Sequence, residues 1–205
     1  MIARVTRAKR DLPVLAFKSQ QAWETWLASQ QSDSTGLWLK LARKSSGIAS
    51  VSRQEAIDAA LCHGWIDGQL DAFDDVFWLI RFTPRQAASK WSEKNRTRAL
   101  ELVKSERMRP AGLKEIERAK KDGRWDAAYA PQSTAEVPDD LRAALAKNKK
   151  AARFFETLDG ANRFSILYRV NDAKKPETRM ARIAKFVAML AEGETIHPPK
   201  ARKRA

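Results

Sequence analysis

Gly64-Trp65-Ile66-Asp67 and Val76-Phe77-Trp78-Leu79-Ile80-Arg81-Phe82, with the acidic turn Asp71 to Asp75 between them, decide the reading of the fold. The second run has a strand's length and β-forming residues, and the first begins where a helix pattern stops, so the pair predicts a hairpin. Working back, Gly64 closes a helix whose start carries the capping-box pair Ser52 and Glu55, with Ala56, Ile57, Ala60 and Leu61 on the buried face. Leu37 to Leu41 reads as a strand, and Val14 to Phe17 as another. Between those two, Ser19 caps a helix that buries Ala22, Trp23, Trp26 and Leu27.

Working forward, Ser92 caps a helix to about Lys104, and Pro110 opens another that Gly123 closes. Residues 126–138, with Pro131 and Pro138, read as a linker. Beyond it the signals are helical throughout: Asp139 and Asp159 as caps, and Pro176 opening a last helix striped by Ile183, Phe186, Val187 and Leu190. The expected class is α+β, with a small mixed or antiparallel sheet and flanking helices in the N-terminal part and an all-helical C-terminal part. The expected division is a basic tail (1–11), an α+β domain (12–125), the linker, a helical region (139–196) and a basic disordered tail (197–205).

The chain of 205 residues is 43% hydrophobic, enough for a packed core. Its one cysteine, Cys62, excludes an internal disulfide, and its two histidines lie far apart, so neither a metal site nor a cofactor is expected. No run suits a membrane helix or a secretory signal, which makes the cytoplasm the expected compartment. The net charge is +14, and residues 84–124 carry an excess of +7, thirteen cations against six carboxylates. Such a field favours anionic partners; nonspecific nucleic-acid binding by this stretch and the tails is one reading, and a solvated basic surface the plainer one.

Cys62-His63 invites a nucleophile-and-base reading, but neighbours at a helix end point apart, and a lone cysteine is usually a small buried hydrophobe. Asp67, at a strand start, is the weak catalytic candidate; an ordinary cross-strand ion pair with Arg81 is its competing role. The richest stretch is Arg81-Phe82-Thr83-Pro84-Arg85 followed by Trp91-Ser92-Glu93-Lys94-Asn95. It leaves a strand and enters a helix, where free backbone N–H groups and the positive dipole end attract anions. Asp67, Arg81, Thr83, Arg85, Trp91, Ser92 and Asn95 are thus the expected lining of a pocket for a phosphate or carboxylate. Lys90, Lys94 and Arg98 form a second stripe, expected to be solvated.

These motifs, together with Met108-Arg109-Pro110-Ala111-Gly112, Asp122-Gly123-Arg124-Trp125 and the tail-half run Ala173-Lys174-Lys175-Pro176-Glu177-Thr178-Arg179 with Arg182-Ile183, resemble the YdeI/OmpD-associated family, often labelled bacteriocin-protection proteins. The resemblance implies bacterial origin, an α+β N-terminal domain and a protective role against bacteriocin or stress. The leading expectation is a noncatalytic binding protein for a small anionic ligand. The alternative is an enzyme with Asp67 as general base and Arg81 and Arg85 as charge stabilisers.

Overall fold

The computed structural model describes residues 12–30 and 33–198, arranged as two compact units that divide after Ala128. The first unit holds four strands: β1 (Val14–Ala16), β2 (Leu37–Ala42), β3 (Trp65–Ala72) and β4 (Phe77–Pro84). They form one mixed sheet in the order β1-β2-β4-β3, with β1 parallel to β2 and the other pairs antiparallel. The α+β class is as expected, and the hairpin is β3–β4.

Alternation along the strands sends Leu37, Leu39, Leu41, Ile80 and Phe82 to one face, where they pack with Trp23, Ala56 and Trp65. That face is covered by α1 (Gln20–Ala28) and α2 (Arg53–Cys62). Ser19 accepts the Ala22 N–H at the start of α1, and both halves of the Ser52–Glu55 capping box are present on α2. Gly64, at φ +75°, takes the left-handed turn that ends α2 and lets the chain enter β3. Next to α2 lie α3 (Glu93–Lys104) and α4 (Pro110–Lys121), joined to it through Leu61, Cys62, Trp91, Leu102, Ile116 and Trp125.

The second unit contains α5 (Asp139–Ala146), α6 (Lys149–Thr157), α7 (Gly160–Asn171) and α8 (Pro176–Ala191) around Leu141, Phe155, Ile166, Leu167, Phe186 and Leu190. Pro138, not Asp139, is the cap residue of α5; Asp139 and Asp140 occupy the first turn, where they suit the helix dipole. Arg179 shows what its motif does here. It grips both carboxylate oxygens of Asp140 and donates to the Val170 carbonyl at 2.9 Å, tying α8 to α5 and to the end of α7. Ala135 and Val137, within the stretch read as linker, pack against this core.

Residues 1–11 and 199–205, the whole of the first expected tail and most of the second (197–205), lie outside the described residues. His197, the first residue of the tail expected over 197–205, is among the described residues. The buried Asn162 side chain accepts its N–H at 2.8 Å and donates to its carbonyl at 3.2 Å, and its ring meets Ser165 Oγ at 2.8 Å. A polar side chain buried in α7 needs such partners, and the segment beyond α8 supplies them.

Candidate functional site

Strand β3 forms one edge of the sheet, and its pairing is irregular. Ile66 faces Thr83 and Asp67 faces Phe82, but the next partners are Leu70 and Ile80. Three steps on β3 match two on β4, so an extra residue is accommodated opposite Arg81, a bulge that re-aims side chains at this point. Beside it opens a groove of about 620 Å³. One wall is Ile66, Asp67, Gly68 and Gln69 of β3; a second is Arg81, Thr83, Pro84 and Gln86; a third is Asp33, Ser34 and Thr35, the lead into β2. Gly36 makes that third wall possible. It sits at φ +103° with the Phe82 carbonyl only 2.4 Å from where a Cβ would stand, so the lead-in crosses close over β4.

Asp67, Arg81 and Thr83 therefore share one open groove. Arg81 and Thr83 are two apart on β4 and project on the same side. The register sets Asp67 opposite Phe82 rather than Arg81.

Arg85 and Trp91 are elsewhere. The strand ends at Pro84, and Arg85 turns inward, its backbone N–H bonded to the Gly64 carbonyl at 2.9 Å. Its side chain is 5% exposed and lies flat over the Trp91 ring, 3.6 Å from the centroid, while one guanidinium nitrogen donates to the Lys90 carbonyl at 3.2 Å. Trp91 in turn meets Trp125 edge-on at 4.8 Å. Arg124 donates to the Ser89 carbonyl and Arg96 to the Trp125 carbonyl, at 2.7 and 3.1 Å. The arginines and tryptophans of these motifs build a packed node. Ser92 caps α3 by accepting the Asn95 N–H at 3.1 Å. Replacing Arg85 with alanine should lower the thermal midpoint, through the lost stacking and packing on Trp91, and leave ligand affinity at the groove unchanged. Paired melting and titration curves check this.

A second polar cluster was not read from the sequence. Asp58, on the buried side of α2, is 4% exposed. Arg98 grips both its oxygens, Nε to Oδ1 at 2.8 Å and Nη2 to Oδ2 at 2.6 Å. Gln54 adds a bond at 2.8 Å, and Arg107 stands 3.9 Å away, reaching also to Glu24 on α1 at 3.6 Å. Burial alone raises the Asp58 pKa; the Arg98 and Gln54 hydrogen bonds and the two guanidinium charges outweigh it and hold the carboxyl below its ordinary range. Asp58 therefore stays ionised, with both oxygens occupied, which suits a tie between helices better than proton transfer. Arg98, expected on a solvated stripe, is half of that tie. The available signal was a carboxylate among the buried positions Ala56, Ala59 and Ala60 of α2.

Burial pushes the Cys62 thiol up and the His63 imidazole down, so at neutral pH they are a thiol and a neutral ring rather than an activated pair. Four of the seven arginines of the basic stretch, Arg98, Arg107, Arg118 and Arg124, are engaged by carboxylates. Among the described residues no group of His, Cys, Asp or Glu could hold a metal ion, and no helix is long and apolar enough to cross a membrane.

Residues 134–193 match the family model described as Bacteriocin-protection, YdeI or OmpD-Associated. Residues 15–115 match a different one, described as Domain of unknown function (DUF8412). The likeness read from motifs along the whole chain is thus found for the C-terminal region, while the N-terminal sheet and its helices match a separate family. No curated protein and no solved structure matches the chain.

Proposed function

We propose that the N-terminal unit acts on a small polar substrate in the β3 groove, with Asp67 as general base and Arg81 stabilising the negative charge that develops. The observation that carries this is the place of Asp67, Arg81 and Thr83 in the lining of one open groove. Charge separates this reading from passive anion capture. The lining includes two carboxylates, Asp33 and Asp67, against one guanidinium. Arg85, on which a two-armed anion clamp depended, is packed on Trp91. A phosphate entering the groove would face more negative than positive charge.

Binding without chemistry is the second reading. It is favoured by the guanidinium of Arg81 and the hydroxyl of Thr83 on the same strand face, which together suit one carboxylate. A protective role against bacteriocin or stress rests on the name of the family matched by residues 134–193.

The test is a hydrolysis screen of chromogenic nitrophenyl glycosides, esters and phosphates with the full chain and its Asp67→Asn variant. A base acting at the transition state contributes about 10²–10⁴-fold, so the variant should lose that much turnover while keeping its fold and its affinity. Equal turnover by both proteins would remove Asp67 from the chemistry.

A further inference from the structure

The groove beside Asp67 continues into another. A second groove of about 420 Å³ shares Asp33, Ser34 and Thr35 with the first and is lined on its far side by Trp26, Ser29 and Gln30. The lead into β2 is therefore a saddle between two adjoining subsites, one lined by Asp67 and Arg81, the other by Trp26. Trp26 is held in place by its neighbours. It stacks on Trp23 at 5.3 Å and 12°, and meets Trp65 edge-on at 5.6 Å. Its position is thus set by packing and needs no ligand to organise it.

We infer that these two subsites bind a neutral, hydroxyl-rich ligand of the saccharide class. This rests on the proposal that the β3 groove is the functional site, and adds to it the class of molecule and the part played by Trp26 and Asp33. The chemistry of the walls selects the class by elimination and by fit. Two carboxylates oppose a polyanion. Arg81 opposes a simple polyamine. A drug-like apolar molecule would find few apolar partners beyond Pro13, Ile66, Pro84 and Trp26.

What remains is a surface rich in short hydroxyls and planar side chains. Each sugar hydroxyl both donates and accepts. Carboxylates accept from two neighbouring hydroxyls, guanidinium and amide groups donate to them, and serine and threonine do either. The apolar C–H face of a pyranose is the natural partner for an indole ring, whose body is apolar and whose rim is polar. Subsites open to solvent suit such a ligand, because the hydroxyls that face away from the protein keep their water.

The experiment is saturation-transfer NMR and thermal shift on the full chain with cellobiose and N-acetylglucosamine as probes, and with inorganic phosphate, citrate and spermidine as charged controls. Saccharide binding is expected with a saturable shift. Asp33→Ala, at the saddle, should weaken it about tenfold, the loss of roughly 1.4 kcal/mol in binding. Trp26→Phe should weaken it comparably; because Trp26 is also packed, its melting curve is measured alongside, and Asp33→Ala carries the test if that variant unfolds. Phosphate or citrate binding that Arg81→Ala abolishes, with no response to either sugar, would overturn the saccharide class and leave the groove as the site. Sugar binding untouched by Asp33→Ala would place the sugar outside these subsites and overturn the inference. Silence from every probe would overturn the saccharide inference, while the groove reading stands or falls with the turnover of the Asp67→Asn variant.

Discussion

Gly112→Ala should lower the unfolding free energy by about 3 kcal/mol, at the upper end of what overpacking costs. Gly112 lies in the first turns of α4, where that helix presses against the end of α2. A Cβ there would stand 2.5 Å from the Cys62 carbonyl, 2.7 Å from the Leu61 carbonyl and 2.4 Å from the Met108 sulfur. Methionine can swing aside, but the two carbonyls belong to the helix backbone. The approach is closed from both sides: Arg109 donates its N–H to the Cys62 carbonyl at 3.2 Å, and a Cβ on Gly64 would come within 2.9 Å of the Ala111 carbonyl. Alanine's better helix propensity, worth about 1 kcal/mol, opposes the clash without cancelling it. Urea unfolding checks this: the midpoint should fall while the slope holds. A midpoint at or above that of the parent would show that α4 can back away from α2 at no cost.

Asp58→Ala should cost about 3 kcal/mol, the low end for breaking a buried ion pair. The low end applies because Arg98 and Arg107, with side chains 34% and 38% exposed, can recover part of their hydration. Removing Arg98 as well should cost less than the two single changes added together, since neither partner is then left without the other. The same carboxylate gives a pH signature. Its folded pKa is depressed, so its stabilisation is complete above the unfolded value of about 3.9 and is lost as pH falls through the folded value. Glu55, lowered chiefly by its bond to the Ser52 backbone, has the same sign. His63 is also lowered, through burial, and its contribution starts to fall earlier, below its unfolded value of about 6.5. Urea midpoints at pH 7.5, 5.5 and 3.5 should therefore decline in two stages. In the Asp58→Ala protein the acid stage should be shallower.

Much of the fold was legible because its signals are local. Ser19, Ser52, Ser92 and Asp159 each cap a helix by accepting an N–H three residues on, and those partners stand beside them in the chain. The strand assignments held because short β-rich runs were separated by turn residues. Three residues of the candidate site could be read in the same way. Asp67, Arg81 and Thr83 reach one groove because the hairpin that joins them is itself a local structure.

The remaining site residues show where local reading stops. Arg85 is four residues from Arg81 and would share its side of a continuing strand, but the strand ends at Pro84 and the next turn sends the side chain onto Trp91. That outcome depends on a tryptophan brought in by α3 and another beyond α4. Asp58 and Arg98 are forty positions apart and meet only because α2 and α3 pack.

By itself, the sequence determined which segments are helices and strands, where most of them begin, and that the chain is α+β with a helical C-terminal region. Those features depend on residues a few positions apart. The tertiary structure decided which side chains meet, Asp58 with Arg98 and Arg85 with Trp91, and which line one groove, Asp33 with Asp67. Such meetings depend on strand register, a one-residue bulge and helix packing, and no periodicity along the chain encodes them.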